Sequence, residues 1–377
     1  MLGMIVGAGI FALPYTFSRA GIFWGLFHFF VAFVIVLFLH LWYGEITYYT
    51  RGKHRIIGYT EIFLGKRAQF LAFLTTIGSY YGFLLIYGIF GGIFLSNIFG
   101  QASILWMSLL FFIAGGILAL VGLEKIAALN FYLIVPLFGL IIYLFLFVLP
   151  SIDLNNFNGI KLIFNNNLFL PYGVWLFALT GFSVLPETKD IFSKVPIKNF
   201  KRIIWLSLLI SAIFFLLFIF TVWGISGKLT TTDALSGLAS ILGRKAFLIA
   251  SFIGFLTVFT SYIPLVVDMK NIFSFDYKIS KSLAWLFTII PPIVLFWVGI
   301  DDVVKLLEII GAVGLGILGV FIILMRHRMR KRIMEGDEGD FLKPIEEKEI
   351  RPNKFLEIFI LIGIIAGVIC ELWRIFG

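Results

Sequence analysis

The sequence predicts an all-α integral membrane protein of eleven transmembrane helices. Two five-helix groups run in opposite senses as an inverted repeat, helices 1 and 6 are broken at mid-membrane, and one extra helix follows. Three observations lead there. The chain is 60% hydrophobic and 14% charged, against about a quarter charged in ordinary soluble domains, and its mean hydropathy is +1.04. Apolar runs near the ~20 residues that a bilayer crossing needs recur along it. One odd pattern, Gly-x-x-x-Leu-Pro, appears twice, from Gly9 to Pro14 and from Gly181 to Pro186.

The runs fall in order at 1–18, 21–43, 68–99, 102–122, 126–149, 168–186, 203–227, 246–267, 282–300, 303–325 and 355–375. Runs 1 and 6 hold the repeated pattern. Gly adds backbone entropy and Pro removes a donor, so each weakens a helix. A freed backbone group in lipid has no water to turn to and is costly unless protein or ligand satisfies it. Interrupted helices at matching places in two halves point to the binding site of a secondary carrier. Pro kinks packed against neighbouring helices are the plainer alternative. Because each group holds an odd number of runs, the second enters the membrane in the opposite sense. Residues 1–150 are thus expected to form the first repeat and 151–325 the second. Residues 326–354 then form a charged cytoplasmic loop, and 355–377 hold span 11, whose loss should matter least. Glu308 lies within run 10, while Glu357 and Glu371 bracket run 11. These carboxylates are expected to reach toward the interfaces.

The net charge of +9 is a topology signal rather than a nucleic-acid footprint. With the N-terminus inside, alternate loops gather Arg51, Lys53, Arg55, Lys66, Arg67, Lys125, Lys189, Lys194, Lys198, Lys201, Arg202, Lys270, Lys278, Lys281 and the basic residues of 326–354. The other loops hold only Arg19, Lys161, Lys228, Arg244, Lys245, Lys305 and Arg374. The positive-inside rule then places a multi-pass protein in the cell membrane with its N-terminus cytoplasmic and its C-terminus outside. Anionic membrane lipid is the expected partner of the excess base, and 326–340 reads as a solvated loop. Cys370 is the single cysteine and makes no internal disulfide. No basic n-region or A-x-A site marks a cleavable signal peptide. His54 and His327 sit among basic residues, and His28 and His40 lie more than three turns apart on run 2. No metal cluster, phosphate loop or Ser-His-Asp constellation emerges, the histidines receive no role, and neither an enzyme nor an organic cofactor is expected. A channel would want a continuous polar pore or a repeated filter, which two singular helix breaks do not supply.

Met1-Leu-Gly-Met-Ile-Val-Gly-Ala-Gly-Ile-Phe-Ala-Leu-Pro-Tyr-Thr-Phe-Ser-Arg-Ala-Gly21 resembles the first helix of the amino acid/auxin permeases and the related hydroxy/aromatic amino acid permeases. Glu45 with Arg51-Gly-Lys-His-Arg-Ile-Ile-Gly-Tyr59 and Leu64-Gly65 resembles their span 2–3 loop. Tyr81-Gly82 with Tyr87 is similar to span 3, Phe177-Ala-Leu-Thr-Gly-Phe-Ser-Val-Leu-Pro-Glu187 to span 6, and Thr260-Ser261 through Asp268 and Phe273 to span 8. The first and sixth helices are the specific parts. The resemblance implies a leucine-transporter-like 5+5 inverted repeat, in the amino acid–polyamine–organocation superfamily, that moves amino acids by alternating access.

The residues suit that chemistry. A half-helix N-terminus presents free N–H groups and partial positive charge to a carboxylate. The amides of Ala8 and Gly9, with Gly7 as the permissive turn, are the candidates, and the missing side chains would let a ligand approach. Packing through small residues is the alternative, since Gly3 and Gly7 make a Gly-x-x-x-Gly spacing. Carbonyls near Phe177, Ala178, Thr180 and Gly181 would receive the ammonium. The resemblance adds the Ile5 carbonyl and places the Tyr87 hydroxyl near the carboxylate. Phe182 and Tyr81 are candidates for the side-chain pocket. No acidic residue lies at mid-span, which favours neutral amino acids. For a coupling ion, Thr257, Thr260 and Ser261 put hydroxyls on adjacent turns, and hard cations take oxygen ligands. The resemblance joins these to the Gly3 and Val6 carbonyls as a sodium site. Such hydroxyls also commonly bond their own helix. No lysine lies within 126–149, a position that some relatives use when protons replace sodium. Glu45, Glu187 and Asp268 keep proton coupling open, their duller role being inner-interface carboxylates.

Overall fold

The computed structural model describes residues 1–100, 102–120, 123–157, 167–192, 195–336, 341–342 and 354–376, without the side chains of 123–134 and 375–376. The side chain of Lys125, the residues Lys161 and Lys194, and most of the loop 337–353 lie outside the described residues. Helices are the regular structure throughout the described residues, and one isolated antiparallel bridge joins Thr50 to Leu342.

Run 1 is divided into α1 (Leu2–Ile5) and α2 (Gly9–Ala20). Next come α3 (Ile22–Tyr49), a short α4 (Ile56–Leu64) in the following loop, α5 (Lys66–Ile98), α6 (Ile104–Leu118) and α7 (Leu123–Val148). Run 6 is divided into α8 (Leu170–Ala178) and α9 (Leu185–Ile191), with a 3-10 turn at Phe182–Val184 between them. Then follow α10 (Ile197–Ser226), α11 (Ala239–Asn271), α12 (Lys281–Trp297), α13 (Val303–Glu308), a π-helical turn at Ile309–Gly314, α14 (Leu315–Met334) and α15 (Lys354–Phe376). Among the described residues, six helices are long and apolar enough to cross a membrane, and shorter apolar helices lie at Ile104–Leu118, Val135–Ser151 and Lys281–Trp297. Phe30, Phe70, Trp106 and Trp373 stand exposed on the outside of the bundle, a surface suited to lipid rather than water.

Local chemistry sets the boundaries. Gly21 and Gly65, both at φ 86°, separate consecutive helices in a backbone region that side-chained residues avoid. The Asp302 carboxylate accepts the Lys305 amide at 3.1 Å and starts α13. Gly173 of α8 packs against the backbone of Glu308, and Gly311 of the π turn packs against the backbone of Gly173, so a side chain on either would strike main chain. That close approach seats α8, and with it the second break, inside the bundle.

Two expectations change here. α14 continues to Met334, past the end expected at 325, and within it Arg326 and Arg330 are buried while Arg328 and Lys331 stay exposed. Arg326 pairs with Glu45 at 2.6 Å and with Glu357 at 2.7 Å, and Arg330 also meets Glu357 at 2.7 Å. Buried charge persists when paired. Leu342 is buried beside Thr50, and the Arg51 amide donates to the Phe341 carbonyl at 2.7 Å. Glu308 and Glu371 are likewise held inside the protein. Both are buried and bind Arg374 of α15.

Candidate functional site

The first break spans residues 6–8. Val6 has φ −82° and ψ 78°, the geometry of an inverse γ-turn, and the Gly7 amide donates to the Ile5 carbonyl at 2.9 Å. The amides of Ala8 and Gly9 meet no backbone acceptor among the described residues. They open α2 as free donors, as a helix N-terminus does. The second break spans residues 179–181. Thr180 donates its amide to the Phe177 carbonyl at 3.1 Å and its hydroxyl to the Leu176 carbonyl at 2.7 Å. The carbonyls of Ala178 and Thr180 accept no backbone amide among the described residues. The Ile5 and Phe177 carbonyls, by contrast, each already accept one.

The two breaks touch. A Cβ on Gly9 would lie 2.6 Å from the Ala178 Cα, and one on Gly181 would lie 2.7 Å from Ile5 Cγ1. A Cβ on Gly7 would lie 2.8 Å from the Tyr87 hydroxyl and 2.9 Å from Ser261 Oγ. The missing side chains therefore let Ala178, Tyr87 and Ser261 pack close to the first break. Ser261 donates to the Gly3 carbonyl at 2.9 Å and lies 3.5 Å from the Val6 carbonyl, and its Oγ and the Tyr87 hydroxyl both flank Gly7. Thr257 donates to Ile253 at 2.7 Å and Thr260 to Thr257 at 3.0 Å. Their protons thus serve their own helix, while the oxygens keep lone pairs for a cation. Phe177 packs edge-on to Phe83 at 5.0 Å and tilts beside Tyr87 at 6.4 Å. Tyr81 does not join this group, because its hydroxyl donates to the Phe287 carbonyl at 2.7 Å, away from both breaks.

Sequence reasoning missed two participants. His40 of α3 is fully buried and accepts the Gly181 amide at its Nε2, 2.9 Å away. The signal was a histidine inside an apolar run, where polar groups are expensive and functional. Arg55, read as one more inside charge, is buried between Glu187 at 2.5 Å and Asp268 at 3.0 Å. Tyr80 donates to Asp268 at 2.7 Å. Burial disfavours the Arg55 charge, but the two carboxylates outweigh it and hold the guanidinium above its ordinary value. This buried cluster joins the segment before α4 to α5, α9 and α11.

The chain is similar to solved transporter structures of the leucine-transporter-like fold. One is MhsT in complex with L-phenylalanine, at TM-score 0.70 and 17% identity, covering 99% of this chain and 96% of that one. Another is Mhp1, a nucleobase-cation-symport-1 family transporter in a closed conformation with bromovinylhydantoin bound. It aligns at TM-score 0.70 and 12% identity, covering 99% of this chain and 90% of that one. A search of curated proteins finds no match. A sequence model of the tryptophan/tyrosine permease family matches residues 1–371. With that match over nearly its whole length, the chain belongs to the tryptophan/tyrosine permease family, and it is a membrane transporter rather than an enzyme.

Proposed function

We propose that the protein is an ion-coupled secondary carrier of neutral amino acids, aromatic ones first, working by alternating access. The observation that carries this reading is the meeting of two helix breaks deep in the bundle. One offers free amides at Ala8 and Gly9, the other free carbonyls at Ala178 and Thr180. An amino acid carries a carboxylate and an ammonium, and this pairing of donors with acceptors matches both. Ile5, Gly7, Tyr87, Phe177 and Gly181 frame the site, and the family and the phenylalanine-bound neighbour support an aromatic side chain.

Eleven spans in two inverted repeats, 1–150 and 151–325, with span 11 added after the loop 326–354, suit such a carrier. The basic loops then lie in the cytoplasm beside anionic lipid, with the C-terminus outside. Sodium is the first choice of coupling ion. Its ligands would be the Gly3 and Val6 carbonyls with Thr257, Thr260 and Ser261, a hard-oxygen set in which Ser261 already reaches both span 1 carbonyls. Protons are the alternative, through the buried carboxylates Glu187 and Asp268.

Uptake into proteoliposomes tests the reading, with the twenty amino acids as competitors and sodium and proton gradients applied separately. Saturable uptake that tryptophan, tyrosine or phenylalanine competes away is expected, driven by an inward sodium gradient. Linear flux would indicate a channel. Uptake that ignores sodium but follows the proton gradient would overturn the sodium assignment alone.

A further inference from the structure

We propose that His40 is the positioning residue of the second helix break, holding the Gly181 amide in place of a helical carbonyl and thereby fixing the free carbonyls before it. The inference rests on the amino acid site proposed above. In an unbroken helix the Gly181 amide would bond the carbonyl of Phe177, four residues back. That carbonyl instead takes the Thr180 amide at 3.1 Å. The freed Gly181 donor is buried, where an unmet amide costs more than a hydrogen bond is worth. His40 Nε2 meets it at 2.9 Å, from a different span.

The ring's protonation follows from its partners. An amide nitrogen only donates, so Nε2 carries no proton. His40 Nδ1 lies 2.8 Å from the Val36 carbonyl, which only accepts, so Nδ1 carries it. The imidazole is thus neutral, in one tautomer, with both nitrogens engaged. Its face stacks on Phe182 at 3.9 Å between centroids and 23° between planes, and Tyr43 meets that Phe182 edge-on at 6.3 Å. Gly181 admits the arrangement, because its missing side chain lets Ile5 pack where a Cβ would come within 2.7 Å of Cγ1. One side chain of span 2 therefore sets the amide at 181, the aromatic ring at 182 and, through the rigid turn between, the carbonyls of Ala178 and Thr180.

The test compares His40→Leu, which fills the space without an acceptor, with His40→Gln, which returns one. Both are made in the full chain in lipid nanodiscs. Hydrogen–deuterium exchange at Gly181 and binding of radiolabelled tryptophan, tyrosine and phenylalanine are measured. His40→Leu should speed exchange at Gly181 about tenfold and weaken binding of the preferred amino acid by about the same factor, the worth of one buried hydrogen bond. His40→Gln should return both to near wild type. A His40→Leu protein that exchanges and binds like wild type overturns the proposal, as does a Gln variant no better than Leu. If His40→Leu does not fold, nitrogen-15 spectra of histidine-labelled wild type decide. A neutral ring protonated at Nδ1 supports the assignment, and a cationic ring or one protonated at Nε2 sinks it. A wild type that binds none of the three amino acids defeats the functional reading, while exchange and tautomer still judge His40.

Discussion

Gly7 and Gly9 stand two residues apart and face different neighbours. A methyl at position 7 meets the ends of two side chains, the Tyr87 hydroxyl at 2.8 Å and Ser261 Oγ at 2.9 Å, and both can turn aside. A methyl at position 9 meets the Ala178 Cα at 2.6 Å, which is backbone and cannot. Gly9→Ala should therefore cost stability, by about 1–3 kcal/mol as overpacking does. Gly7→Ala should leave thermal stability closer to wild type and depress uptake instead. Thermal unfolding and uptake measured on both purified variants check this, and a reversed order would contradict the packing. Ser261→Ala removes the one hydroxyl of its group seen to reach span 1, so sodium stimulation of uptake should fall while a fixed proton gradient is held. The repeated glycine motif was legible in sequence because it breaks a helix by local rules. Which way each glycine faces was not, since that depends on Ala178, Tyr87 and Ser261 arriving from distant spans.

At the scale of elements, α15 is more than an appendage. Its Glu357 meets Arg326 and Arg330 at one end, and its Arg374 meets Glu308 at the other. Removing one partner of a buried pair leaves an uncompensated charge and typically costs about 3–5 kcal/mol. Arg374→Ala should lower the thermal midpoint clearly, and adding Glu308→Gln should recover part of the loss. A double variant worse than the single would show that the pair does not act this way. Deleting 354–377 should likewise reduce stability, against the expectation that span 11 is the least consequential. The sequence disclosed where these helices run, because apolar length is a local property. It hid the ion pairs, because Glu308 and Arg374 are joined only when spans 10 and 11 pack.

Across the whole molecule, Arg55 before α4, Glu187 in α9 and Asp268 in α11 tie three distant segments together, a cluster that we propose is the seal behind the two breaks. Arg55→Gln should loosen the bundle there. With Cys370→Ser as background, Ser183→Cys should then react faster with a membrane-impermeant thiol reagent, and an unchanged rate would mean that the cluster is not the seal. The transporter fold was readable from the paired motifs and the apolar runs. The cluster was not, since Arg55 looks like its basic neighbours until Glu187 and Asp268 surround it. The central claim is that exposed main-chain groups at the two breaks grip an amino acid. A high-resolution density map with the preferred amino acid bound tests it most directly. The carboxylate is predicted within hydrogen-bond distance of the Ala8 and Gly9 amides, with the ammonium at the carbonyls of Ala178 and Thr180. A ligand bound elsewhere, with those groups paired inside the protein, would contradict it.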